Sequence, residues 1–379
     1  MNRFSHFYRG IPVFLLLFML TSCTRSGTSG RLIRGQTEPQ SEYIMGTICT
    51  IDLFEKGNSV IYAKVFNRLK ELENIFSANI EGTDLDRVNK SAGLSPVEVR
   101  PELIIVLGKA LEYAEKSDGL FDPSIGPLVN LWGIGRENAG IPEKDEILKA
   151  LDLVNFREVE IEEQNRTVFL KRAGMALDLG AIAKGYAADE IVILLSGEGV
   201  ERAIIDLGGN IFAMGEKKNT KKLGDRIKDL FSGGSEKTGG EDGYWRIGIQ
   251  DPREGRGNYT GILLVKNKTV VTSGIYERYF EEGGRYYHHI LSTETGFPVE
   301  NNLLSVTIAA DSSIDADALS TSAFALGWEK GRDLIESADG AAGIFVFNDL
   351  TLRLTSGIEE FFILTAMEYT LYPSPPILP

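Results

Sequence analysis

Apolar and polar positions alternate from Tyr43 to Phe54, and this period predicts a first strand. The period then lengthens. Val65, Leu69, Leu72, Ile75 and Phe76 recur at helical spacing across Ala63 to Phe76. Leu103, Ile104, Leu107, Ala110, Leu111 and Ala114 do the same across Pro101 to Lys116. Glycines and prolines then crowd the stretch from Asp118 to Gly135, which predicts a fixed loop with large apolar residues embedded. Such a loop either lines a pocket or serves as a buried connector. Phe156 to Leu170 reads as two strands around Glu163 to Arg166.

The stretch Met175-Ala-Leu-Asp-Leu-Gly-Ala-Ile-Ala-Lys-Gly-Tyr-Ala-Ala-Asp-Glu190 holds the centre of the pattern. Met175 to Leu179 reads as a strand end, Gly180 as a tight turn, and Ala181 as the start of a helix carrying Ile182, Tyr186, Ile191, Leu194 and Leu195. A helix start presents free N–H groups, which suit an anion. Lys184 stands in the first turn, where the helix dipole disfavours a cation and a bound phosphate would relieve that cost. The same residues also fit an ordinary strand-to-helix connection with a solvated lysine. A second Asp-Leu-Gly follows at Asp206-Leu-Gly-Gly-Asn210. Two such strand ends can deliver Asp178 and Asp206 to one sheet edge, although turn chemistry alone also explains the repeat.

Further strands are expected at Tyr244 to Asp251, Gly261 to Val265, Thr269 to Gly274, Leu304 to Ala309, Gly343 to Phe347 and Leu352 to Ser356. A last helix opens at Ser312 and runs through Asp317 to Gly327. Strands outnumber helices, and hairpin-like pairs mix with crossovers, so the class is α+β. Glu216 to Asp242, with its lysine pairs and Gly-Gly steps, interrupts the pattern as a surface insertion. The main domain is expected to run from Tyr43 to Ala366, with a disordered, proline-rich tail from Met367 to Pro379.

The amino terminus changes the picture of location. Arg3 and Arg9 accompany the short apolar run Ile11 to Leu20, which is too short to span a bilayer and matches a signal peptide over residues 1–22. Leu20-Thr-Ser-Cys23 resembles a bacterial lipobox, so Cys23 is the expected lipidated first residue of the mature protein. Residues 23–42 form a flexible tether. Cys49, the other of the two cysteines, then has no partner for an intrachain disulfide, and a hydrophobic core must hold the fold. The formal charge of −14 argues against nucleic-acid binding and against a polybasic membrane patch. An acidic protein that binds a phosphorylated ligand needs localised cations, either a metal ion or isolated lysines.

Asp317 and Thr321 stand four apart, on one helix face. A carboxylate and a hydroxyl so placed can hold a hard cation completed by carbonyls and water. An aspartate near a helix start is favourable by dipole alone, however, and a mid-helix threonine often bonds its own backbone. The chain has three histidines, of which His6 leaves with the signal, so the pair His288-His289 is either a surface pair or part of a pocket.

Together these strings resemble the FAD:protein FMN transferases, the ApbE-like proteins. The resemblance is carried by Tyr43-Ile-Met-Gly-Thr47, Gly119 to Gly133, Asp178 to Asp189, Asp206-Leu-Gly-Gly-Asn210, Thr272-Ser-Gly274, His288-His-Ile290 with Thr295-Gly296, and Asp317-Ala-Leu-Ser-Thr321. It implies an ApbE-like, T-fold-like set of mixed and antiparallel sheets with packed helices. It implies a Mg²⁺-dependent enzyme of the bacterial envelope, facing the periplasm. Such an enzyme splits FAD, attaches FMN by a phosphoester to a threonine of a partner protein, and releases AMP. By the same resemblance, Asp317, Thr321 and the carbonyl of Ala181 hold the metal. Met45, Asn79, Leu120, Phe121, Asp122, Asp178, Lys184, His289 and Ile290 contact FAD, and His289 and Asp317 serve catalysis. His289 either moves a proton or positions the attacked phosphate. The family continues its histidine motif with Asp-Pro, where this chain has Ser292-Thr293. Two rival readings use the same residues: a Mg²⁺-dependent FAD pyrophosphatase giving FMN and AMP, and a non-catalytic flavin-binding lipoprotein.

Overall fold

The computed structural model describes residues 37–217 and 243–372, within one compact unit spanning Ile33–Pro379. The first described elements are β1 (Gln40–Ile44), β2 (Thr47–Leu53), α1 (Ser59–Phe76), α2 (Asp84–Lys90), β3 (Val97–Glu98), α3 (Pro101–Lys116), α4 (Gly126–Trp132) and α5 (Lys144–Leu151). Next come β4 (Val159–Glu162), β5 (Thr167–Leu170), α6 (Ala183–Gly197), β6 (Ala203–Leu207), β7 (Asn210–Met214), β8 (Trp245–Gln250), β9 (Tyr259–Val265) and β10 (Lys268–Gly274). The last are β11 (Tyr279–Glu282), β12 (Arg285–His288), β13 (Leu303–Ala310), α7 (Ser313–Glu336), β14 (Ala342–Phe347), β15 (Thr351–Leu354), β16 (Phe362–Leu364) and β17 (Thr370–Tyr372).

A nine-stranded sheet in the order β1-β2-β6-β7-β10-β13-β14-β15-β17 forms the frame. Its pairs are antiparallel except β15 with β17. Both faces of the central strands are covered. Val271, Ile308, Phe345 and Phe347 enter the core beneath α1, α6 and α7. Their neighbours Val270, Ala309, Ile344 and Val346 face the opposite way, against the small sheet β16-β9-β8. A strand buried on both faces reads as an unbroken apolar run, which is why Gly343 to Phe347 shows no alternation. This is the strand-rich α+β architecture that the sequence pattern predicts.

Several elements differ from that pattern. Tyr43 to Phe54 is a hairpin, because Met45 (φ 55°) and Gly46 (φ 72°) make a two-residue turn between β1 and β2. The usual cue for such a turn is Asn-Gly or Asp-Gly, and methionine in a left-handed conformation hides it. The stretch expected as a loop between Asp118 and Gly135 contains α4, closed by Gly133 at φ 58°. Met175 to Leu179 is not a strand; it contributes one bridge, Ala176 to Ile125. The helix that follows begins at Ala183, and Gly180 does not adopt a positive φ. The last helix continues past Gly327, which breaks it at φ 76°, ψ −175°. The tail is ordered as far as Tyr372, since β17 extends the main sheet beside β15. The signal, Cys23, most of the tether, residues 218–242 of the insertion and residues 373–379 lie outside the described residues. The flanks of the insertion meet, as Lys217 N–H donates to Gly243 O at 3.0 Å. Among the described residues no helix is long and apolar enough to cross a membrane.

Candidate active site

The site starts where α6 crosses the first turns of α7. A Cβ on Gly185 would lie 2.2 Å from Ser313 O and 2.7 Å from Ile314 Cα, so only glycine permits this approach. Two carboxylates lock the crossing from opposite sides. Asp189 of α6 accepts N–H bonds from Ser313 and Ile314 at 2.9–3.0 Å, capping α7. Burial nevertheless pushes its carboxyl up to about 6. Asp317 of α7 accepts the Gly185 N–H through Oδ2 at 2.9 Å. That N–H would ordinarily serve the carbonyl four residues back. Among the described residues the Ala181 carbonyl therefore has no hydrogen-bond donor.

Asp317 is 3 % exposed, and burial raises its carboxyl pKa against the opposing pull of Lys184 and the Gly185 N–H. Its second oxygen, Oδ1, lies 3.8 Å from Lys184 Nζ, which donates to Gly180 O at 2.8 Å. Thr321 follows Asp317 by one turn, and its hydroxyl meets Ser273 of β10 at 3.0 Å. No group of three His, Cys, Asp or Glu side chains that could hold a metal occurs among the described residues. The donors brought together are instead one carboxylate, one hydroxyl and one free carbonyl. All are hard oxygens, and they fit a small divalent cation that keeps several waters.

The two histidines have different roles. His288 is buried; its Nδ1 accepts from Ile290 N–H at 3.3 Å, its Nε2–H donates to Val299 O at 3.0 Å, and its ring meets Phe324 edge-on. It belongs to the core. His289 Nδ1 contacts the Arg278 carbonyl at 3.2 Å. A carbonyl only accepts, so Nδ1 carries the proton and Nε2 holds a lone pair. Burial depresses the His289 pKa to about 4, and the charges of Arg278 and Lys184 act in the same direction. The folded protein therefore resists a proton that the unfolded chain takes from the ordinary value of 6.5 downward. Stability should fall on acidification from pH 6.5 to about 4. His289→Gln should flatten this slope in denaturant titrations across that window.

The other residues implied in flavin contact divide into two groups. Met45 sits in the β1–β2 turn, half-buried, with its N–H on Glu73 Oε1 at 2.6 Å. Asp178 caps its own turn, as Oδ1 accepts from Gly180 N–H at 2.8 Å. Leu120 lines an open cavity of about 590 Å³ with Ser292, Thr295, Phe297 and Gly327. Phe121 and Ile290, by contrast, are buried in the core, Phe121 against Tyr113. Asp122 serves the loop: Oδ1 takes the N–H and hydroxyl of Ser124, and Oδ2 the Phe156 N–H. Burial raises its pKa despite these bonds. Asn79 is exposed and accepts a bond from Arg136 at 2.8 Å. The paired Asp-Leu-Gly turns do not form one sheet edge, because only Asp206 lies on a strand.

Residues 45–345 match the model of the ApbE family. The chain belongs to the ApbE family. An FAD:protein FMN transferase of Treponema pallidum is 39% identical over 344 residues, covering 88% of this chain and 91% of the relative. One from Klebsiella pneumoniae is 34% identical over 316 residues, covering 83% and 91%. The ApbE protein of Thermotoga maritima superposes with a TM-score of 0.73 at 29% identity, covering 86% of this chain and 99% of that one. The apo form of Pseudomonas stutzeri flavinyl transferase ApbE gives 0.69 at 27% identity, with 86% and 98% covered.

Within this ApbE-family chain, Ser292-Thr293 keeps the turn after the histidines. Ser292 Oγ accepts the N–H groups of Glu294 and Thr295, both at 3.2 Å, as an aspartate can at such a turn. Thr293 Oγ donates to Gly119 O at 2.8 Å and so ties the histidine segment to the Leu120 loop. Sequence reasoning missed Arg278 and Gly185. Arg278 approaches both the β1–β2 turn and the Gly133–Gly135 loop, 3.8 Å and 3.4 Å from where Cβ atoms on Gly46 and Gly135 would stand. Nothing in its local sequence marks it. Gly185 was legible only as a glycine inside an otherwise helical pattern.

Proposed function

We propose that this protein transfers FMN from FAD to a threonine of a partner protein and releases AMP. The observation that carries the reading is the convergence of Lys184, Asp317 and the lone pair of His289 in a chain of the ApbE family. The activity named for its relatives, FAD:protein FMN transferase, supports it. In this reading the threonine oxygen forms a bond to the FMN phosphorus as the bond to the AMP oxygen breaks. The threonine proton passes to Nε2 of His289, which the Arg278 carbonyl holds in the accepting tautomer. A neutral lone pair repels phosphate oxygens, which favours proton transfer over phosphate positioning. Lys184 neutralises charge on the diphosphate in an otherwise acidic protein.

Asp317, Thr321 and the Ala181 carbonyl would hold Mg²⁺. Bound there, the ion would stabilise negative charge on the departing phosphate. The test is the mass of a threonine-bearing acceptor after incubation with FAD and Mg²⁺. A gain of one FMN with equimolar AMP supports transfer. AMP without labelled acceptor would make the protein a pyrophosphatase, and neither product would leave a flavin binder.

In the same proposal the enzyme is held on a membrane of the bacterial envelope through lipid on Cys23, motivated by Leu20-Thr-Ser-Cys23 behind a short apolar run. Cys23→Ala should move the protein into the soluble fraction. Persistent membrane association of that variant would exclude the anchor.

A further inference from the structure

A threonine in mid-helix commonly bonds its own backbone. The Thr321 hydroxyl instead reaches Ser273 Oγ, 3.0 Å away on β10. Ser273 Oγ lies 2.8 Å from Ser320 Oγ, and Ser320 Oγ donates to the Asp317 carbonyl oxygen at 2.9 Å. Three hydroxyls and one carbonyl thus form a continuous chain. Each hydroxyl has one proton, and the carbonyl can only accept. The direction of every bond follows from that end. Ser320 donates to Asp317 O, so toward Ser273 it can only accept. Ser273 donates to Ser320, so toward Thr321 it too can only accept. Thr321 must then donate, which leaves its oxygen lone pairs free. Ser320 is fully buried, so water does not offer it a competing proton.

We infer that Ser273 and Ser320 are positioning residues that fix the polarity of the Thr321 hydroxyl, proton toward Ser273 and lone pairs available to a hard cation. A hydroxyl held the other way would present its proton to the ion. The inference rests on the reading of Asp317 and Thr321 as a cation site. It adds that the ligand's orientation is set through Ser273 by Ser320, whose own hydroxyl does not bond that of Thr321. Outer partners of metal ligands act in this way on affinity.

The probe is Mn²⁺ alone, titrated into the full-length protein and followed by its paramagnetic resonance signal, with melting temperature measured in parallel. Wild type should bind and Asp317→Ala should not; absence of binding by wild type would refute the cation-site reading itself. Given binding, Ser320→Ala and Ser273→Ala should each weaken it about ten- to a hundredfold. In a Thr321→Val background, Ser320→Ala should weaken it no further. A purely structural role for Ser320 would give the same factor in both backgrounds and would overturn the inference. So would unchanged affinity in either serine variant, or in Thr321→Val. If Ser320→Ala does not fold, the same cycle is run with Ser273→Ala.

Discussion

Asp317→Ala should abolish AMP release from FAD, by about 10³-fold or more, and with it labelling of any acceptor. The carboxylate is 3 % exposed, and burial alone already disfavours its charge. Removing it takes away the one anionic donor beside the free Ala181 carbonyl and Thr321. FAD should still bind, more weakly, because Lys184 remains to meet the diphosphate. The effect is differential: a cation matters most where charge develops on the leaving phosphate. Titration calorimetry with FAD and an assay for AMP, each with and without EDTA, separate binding from turnover. Undiminished AMP release from Asp317→Ala in EDTA would refute the metal-dependent mechanism.

Gly185→Ala should be as damaging to activity although it replaces no proposed ligand. Its methyl would stand 2.2 Å from Ser313 O, against backbone that cannot swing aside. The two helices must separate, which costs about 3 kcal/mol as overpacking does. Separation lengthens the 2.9 Å bond from Gly185 N–H to Asp317, restores the helical bond to the Ala181 carbonyl, and so removes two proposed donors together. Gly197, at the end of the same helix, has open space where a Cβ would stand, with no atom within 4 Å, and its φ is not positive. Gly197→Ala is therefore the control, neutral or slightly stabilising by helix propensity. Chemical denaturation and AMP release measure both variants. Wild-type stability in Gly185→Ala would show that the helices pack with slack.

The positions of α1 and α3 were legible because a long amphipathic period depends only on which face meets the core. The mixed sheets were legible as a class for the same reason. Where local chemistry was ambiguous, legibility failed. Met45 takes a left-handed turn that methionine does not advertise, and Thr370–Tyr372 becomes a strand only because β15 offers it an edge. Lys184, Asp317, Thr321 and His289 could be named from short strings. Their partners could not.

By itself the sequence determined the strand-rich α+β class, the family-like strings, and the lysine, aspartate and histidine that an acidic protein needs for a charged ligand. Tertiary structure decided which atoms of those residues are available. It directed Gly185 N–H to Asp317 and so freed the Ala181 carbonyl. It closed both oxygens of Asp122 onto the loop, buried Phe121 and Ile290, and gave His289 its tautomer through the carbonyl of Arg278. The bonds of Gly185 to Asp317 and of Phe156 to Asp122 join segments far apart in the chain. A hydrogen bond is local in space, not in sequence, so periodicity carries no record of it.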